Sequence, residues 1–177
     1  MSTRNIFLLA ILAFIVIFGG FACNGYNGLV KLDENVNLMW KKVESDYQRR
    51  LDLIPNLVNT VKGAANFEKE TLTGIVEARA KATSVQISSD NLTPEKLAEF
   101  QRAQAGVSSS LGRLLAVAEN YPDLKATQNF QDLQKQLEGT ENRIKVSRND
   151  FNEAVQQYNV SVRRFPNNII EIGRAHV

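Results

Sequence analysis

FQDLQKQLEGTENRIKVSRNDFNEAVQQYNVSVRRF, residues 130–165, is the stretch that decides the fold. Phe130, Leu133, Leu137, Thr140, Ile144, Ser147, Phe151, Ala154, Tyr158, Val162 and Phe165 recur every three or four positions. A turn of 3.6 residues brings such positions onto one stripe, so the segment reads as one long helix with a single buried face. Sustained over this length, the spacing implies left-handed, coiled-coil-like packing at a crossing angle near about +20°. Phe165-Pro166 ends the helix, because proline cannot continue it.

Upstream, the same period returns in Leu97, Phe100, Gln104, Val107, Leu111, Leu114, Ala118 and Tyr121. Thr93-Pro94 supplies an N-cap followed by proline at the first helical position, and Tyr121-Pro122-Asp123 stops the helix. Ser88-Ser89-Asp90-Asn91 reads as a loop. Before it, Val58, Val61, Ala65, Leu72 and Ile75 carry a further stripe, with Glu77 and Lys81 spaced for an i,i+4 ion pair. Leu29, Leu32, Val36, Met39, Val43, Tyr47 and Leu51 form the first stripe of the body, and Trp40 beside it reads as a core residue. Two readings of Pro55 stand open: a turn in which Asp52 caps a new helix, or one helix running through with a kink. Gly63 and Gly74 lie inside helical pattern, where each is either tolerated or admits a close neighbouring helix. The four segments run about 26, 29, 27 and 40 residues, or roughly 39 to 60 Å at 1.5 Å per residue. Similar lengths joined by short connectors predict an all-α, antiparallel four-helix bundle.

Ile6 to Ala22 is an uncharged apolar run behind Arg4, reaching roughly 26 Å as a helix, close to the lower limit for a membrane span. It reads as a transmembrane helix, with a cleaved signal peptide and a lipoprotein signal lipidated at Cys23 as alternatives. The basic amino terminus favours a cytoplasmic start and an extracytoplasmic body. Asn24-Gly25 and Asn27-Gly28 around Tyr26 read as turns between anchor and body. The chain thus divides into a membrane anchor at residues 1–25, a bundle at 26–166 and a tail at 167–177. Ile172 to Val177 reads back as the codons ATC GGA AGA GCA CAC GTC, a widely used sequencing adapter, so the tail is expected to be truncated or non-native beyond about Glu171.

Composition narrows the chemistry. The chain has 177 residues and a formal net charge of +2, from 21 basic and 19 acidic side chains, which gives no electrostatic case for binding nucleic acid. One cysteine and one histidine, His176, leave no zinc-ligand spacing and none of the common acid–base or nucleophile constellations. No phosphate-binding glycine loop and no paired Glu-x-x-His for a di-iron bundle is present. No catalytic, metal-binding or cofactor-binding residue is therefore assigned. The densest polar cluster is Tyr47 to Arg50 with Asp52, Asn56 and Asn59. In it, Arg49, Arg50, Asp52 and Asn56 are the candidate contact patch; the competing reading is a salt bridge from an arginine to Asp52 or to a neighbouring helix. Asn35, Asn37, Asn56 and Asn59 are either solvated or a buried amide ladder.

Tyr47-Gln48-Arg49-Arg50-Leu51-Asp52-Leu53-Ile54-Pro55-Asn56-Leu57-Val58 resembles the central signature of the LemA family. Tyr26 to Val30, Leu32 to Val36, Trp40 and Val43-Glu44 are similar to its opening; Val61 to Gly63, Glu68 and Glu77 to Arg79 continue the likeness. Tyr158-Asn159, Arg164 to Pro166 and Asn168 look like its late element, after which family members usually carry an aromatic-rich stretch. The resemblance implies a short amino-terminal membrane anchor and a four-helix body, with no catalytic activity or cofactor to carry over. It also implies envelope quality control, since genes of this family often lie beside membrane proteases. The expected function is a non-enzymatic membrane-tethered scaffold or adaptor of the bacterial envelope, with a protein partner, such as a membrane protease system, or a second copy of itself. The alternative is a sensor or binding module for a small anion or envelope component, with Arg49 and Arg50 as ligands.

Overall fold

The computed structural model describes residues 3–63, 67–87 and 92–164, by backbone alone at 3–10, 14–15 and 17–24. Every regular element among them is a helix: α1 (Thr3–Lys62), α2 (Lys69–Ser84), α3 (Pro94–Ala118), the single turn α4 (Pro122–Lys125) and α5 (Gln128–Arg163). The chain forms two compact units. One takes the described residues up to Met39 with those from Asp150 onward, and the other is Trp40–Asn149. In the first, Leu29, Phe151, Ala154 and Tyr158 are buried.

In the second unit four long helices share one core. Leu51, Ile54, Leu57, Val58 and Val61 of α1 join Ile75 and Ala82 of α2, Val107, Leu111 and Leu114 of α3, Leu124 of α4, and Phe130, Leu133 and Leu137 of α5. Direction follows from pairs along the helices. Trp40 meets Ile87 while Leu51 meets Arg79, so α1 and α2 run antiparallel. Trp40 and Tyr47 pack on Phe100 while Arg50 reaches Gln104 and Ser108, so α1 and α3 run parallel, as diagonal helices of an up-down bundle do.

The seams are where the periodicity places them. On α5, Phe130, Leu133, Leu137, Thr140, Ile144, Ser147, Phe151, Ala154 and Tyr158 are all buried, and on α3 so are Phe100, Gln104, Val107, Leu111, Leu114 and Ala118. α3 begins as expected: Thr93 sits in extended backbone and its hydroxyl accepts from the Lys96 N–H at 3.3 Å, with Pro94 behind it. Such a cap contributes about 1 kcal/mol.

Several boundaries differ from the sequence reading. The turns expected at Asn24 to Gly28 are absent, because α1 runs through them. A helical glycine costs about 1 kcal/mol, whereas breaking the helix there creates two new ends, each with four unsatisfied backbone groups. Pro55 is likewise inside α1, so the through-running reading holds and the reversal falls at Gly63 instead. Ile54 and Leu57 are fully buried on either side of the proline, and a turn would carry them to the surface. Asp52 is consequently no cap: it lies mid-helix, exposed, and accepts a hydrogen bond from Gln48 Nε2 at 2.8 Å. Gly74 serves no close approach, since a Cβ there would meet nothing within 4 Å. Glu77 and Lys81 are both exposed and no ion pair joins them among the described residues; an exposed pair is worth only a few tenths of a kcal/mol.

Proline has no N–H, so the carbonyl four residues earlier, that of Leu51, loses its helical donor. Arg79 of α2 supplies a replacement, donating from Nε to Leu51 O at 3.0 Å. Arg79→Met should cost about 1–2 kcal/mol by orphaning a carbonyl beside the core. In a Pro55→Ala background, where the restored backbone N–H can reclaim Leu51 O, the same change should cost less than half as much. Urea unfolding of the four proteins measures the difference. Equal costs in both backgrounds would show that the arginine acts independently of the proline.

Among the described residues no helix is long and apolar enough to cross a membrane. The side chains of most of Ile6–Ala22, and that of Cys23, lie outside the description, as does the whole of residues 165–177, so the predicted Phe165-Pro166 stop and tail lie outside it too. Ala65 and the loop predicted at Ser88 to Asn91 also lie outside the described residues.

Candidate functional site

Arg50 is a buried cation. It follows Tyr47 by three positions and precedes Ile54 by four, which puts it on the inward face of α1; Arg49, one residue and about 100° away, is exposed. Only 1% of Arg50 is accessible. Its Nη1 donates to Ser108 Oγ and to Glu141 Oε1, both at 2.7 Å. Its Nη2 donates to the Gln104 carbonyl at 3.0 Å and to Gln104 Oε1 at 2.6 Å. The planar guanidinium carries five N–H donors, and four of them are used. The fifth, on Nε, has no hydrogen-bond partner among the described residues, and the Tyr47 ring lies 5.0 Å from Cζ. A charge this far from water must be paired and hydrogen-bonded, and here α3 and α5 do both. Glu141 is 47% exposed, so the pair is buried on the arginine side only.

Next along α1 is an aromatic group. Trp40, 1% exposed, packs edge-on against Phe100 with centroids 5.4 Å apart, and Tyr47 does so at 5.1 Å. Trp40 Nε1 donates to Ile87 O at 3.3 Å, tying the chain leaving α2 to α1.

The four residues of the expected contact patch do not share a face. Arg50 points into the bundle, whereas Arg49, Asp52 and Asn56 are exposed. The arginine-to-neighbouring-helix reading describes Arg50, with Glu141 as the partner rather than Asp52. There is no buried amide ladder: Asn56 and Asn59 are exposed, and Asn35 and Asn37 are half-buried. Gln104, the polar residue in the α3 stripe, was the legible part of the Arg50 cluster. Ser108 and Glu141 each follow a seam position by one residue, and spacing alone assigns them to solvent.

A guanidinium whose terminal nitrogens are spent within its own bundle has none left for a substrate. Among the described residues no group of three or more His, Cys, Asp or Glu is placed to hold a metal ion.

A scan of protein families matches residues 39–173 to the LemA family. The chain belongs to that family. The matched span holds Trp40, Arg50, Pro55, Arg79, Gln104 and Glu141, so the aromatic group, the arginine cluster and the proline–arginine pair all lie in the LemA region. The opening residues Tyr26 to Val36 precede it. The chain is similar to the magnetosome protein MamQ 2 of Paramagnetospirillum magneticum, 25% identical over 162 residues, which cover 82% of this chain and 60% of that protein. MamQ of Magnetospirillum gryphiswaldense is 24% identical over 160 residues, 80% of this chain and 58% of its own. Protein LemA of Metamycoplasma hominis is 23% identical over 144 residues, 81% of this chain and 62% of its own. This LemA chain thus spans about 60% of the length of the first of these relatives.

Proposed function

We propose that the protein is a membrane-tethered scaffold of the cell envelope, held by Ile6–Ala22 as a single span, with its helical body extracytoplasmic and no catalytic activity of its own. The observation that carries this reading is the internal use of Arg50: the richest polar cluster of the chain stitches three helices together, leaving long exposed faces for function. The uncharged run at Ile6–Ala22 supports the tether. The likeness to magnetosome proteins supports a place in an organised cellular structure rather than in free solution. A helical face needs only suitable side chains at helical spacing to take a partner. The rival reading, an anion-binding module built on Arg49 and Arg50, loses Arg50 to the internal cluster.

In-cell crosslinking of the tagged full-length protein, followed by mass spectrometry, tests the scaffold. One dominant envelope partner should be captured, a membrane protease component being the expected kind. Capture should fall in a variant carrying Arg49→Ala, Asp52→Ala and Asn56→Ala together, all exposed and outside the core. Capture unchanged in that variant would remove this face from the reading, and recovery of the chain crosslinked only to itself would replace the adaptor by a self-assembling scaffold.

A further inference from the structure

At the end of the bundle where α1 stops, a cleft of about 530 Å³ lies against the connection from α3 to α5. This is within the roughly 300–1,000 Å³ typical of small-molecule sites. Its polar lining is Thr60, Asn120, Asp123, Thr127 and Asn129, and its aromatic element is Tyr121. We propose that the cleft binds a neutral saccharide.

The lining carries no Lys, Arg or His, and its one ionisable side chain besides the tyrosine is the carboxylate of Asp123. Lys125, close by in sequence, is paired with Glu119. A phosphate or carboxylate ligand would meet a like charge and no cation. A purely apolar ligand would strip water from two amides and a carboxylate with nothing in exchange. A sugar matches both kinds of surface. Its hydroxyls donate and accept, which suits amides that do both and a carboxylate that accepts. Its C–H face suits an aromatic side chain whose body is apolar.

Part of the hydrogen-bonding capacity in the cleft remains open. Thr60 donates its hydroxyl proton to Asn56 O and keeps acceptor capacity, whereas Thr127 donates to Leu124 O and accepts from the Phe130 N–H at 3.4 Å. The side chains of Asn120, Asp123 and Asn129 have no partner among the described residues. Tyr121 is positioned rather than loose, because its ring lies against Phe67 with centroids 5.0 Å apart. The inference rests on the cleft alone and does not depend on the tether or on a protein partner, so crosslinking and sugar binding can fail separately.

Isotope-labelled full-length protein in detergent, titrated with trimers of β-1,4-linked glucose and of β-1,4-linked N-acetylglucosamine, provides the test. At least one trimer should shift the side-chain amide signals of Asn120 and Asn129 in a saturable way, while inorganic phosphate and acetate leave them unmoved. Asn120→Ala and Asp123→Ala, both at exposed positions that leave the core intact, should each weaken binding by about tenfold. No saturable shift with either trimer at millimolar concentration would overturn the proposal, as would saturable phosphate binding, or sugar binding undiminished in both variants.

Discussion

Trp40→Ala lowers the stability of the helical body by about 4 kcal/mol. The side chain is 1% exposed, and its removal deletes two distinct supports. One is the edge-on contact with Phe100, an arrangement worth about 0.5–1.5 kcal/mol beyond the area it buries. The other is the hydrogen bond to the Ile87 carbonyl, which is buried and finds no substitute when the indole is gone. Trp40→Phe keeps an aromatic body and loses the N–H, so it should cost about 1–2 kcal/mol. Urea unfolding followed by far-ultraviolet circular dichroism resolves both, since the chain has a single tryptophan and its fluorescence disappears with it. Stability within about 1 kcal/mol of wild type for Trp40→Ala would mean that the tryptophan is not a pillar of this core.

Arg50→Ala is the second large effect, at about 3 kcal/mol. The cost comes from the space vacated beneath Tyr47 and from Gln104, itself buried, which loses its guanidinium partner. Glu141 contributes little to that cost, because a carboxylate 47% exposed returns to water. The opposite deletion, Glu141→Ala, leaves a buried cation with only neutral acceptors. Its exposed side tempers the penalty to about 1–2 kcal/mol. Arg50→Met separates charge from volume: it refills the space but still leaves the buried Gln104 without its donor, so it should cost about 1–2 kcal/mol. Arg50→Ala should be the least stable of the three, with Glu141→Ala and Arg50→Met both above it. An Arg50→Met protein as unstable as Arg50→Ala would make the charge itself indispensable.

The seams of α3 and α5 were legible in the sequence because burial there follows a strict three–four spacing that tolerates Gln104, Thr140 and Ser147 as readily as leucine. What escaped was decided by distant residues. No local signal at Pro55 says that Arg79 will receive the carbonyl that proline frees, yet that donor offsets the local penalty for a helix running through. Local signals mislead in the same way at Asn24 to Gly28, where turn-forming residues stand inside a helix whose flanks are apolar on one side and seam-forming on the other. Arg49 and Arg50 read as one patch in the sequence because they are adjacent in the chain. Helical phase separates them, and Arg50, three residues past Tyr47, was the one with an inward position to read. The cleft beside Asn120 and Asn129 was not legible at all, since it forms only where the end of α1 meets the α3–α5 connection.

The bond from Arg79 to Leu51 also joins residues that are made at different times. While the chain is being made, the α1 segment emerges before the arginine that completes it, which lies 28 residues downstream of the carbonyl it serves. Until then the helix around Pro55 carries an unanswered carbonyl, and water is its only partner. Closing a loop of this length is an event of microseconds or less once both segments are free. The donor that answers Leu51 thus follows it in the chain, and the residues of α3 and α5 that enclose Arg50 follow later still.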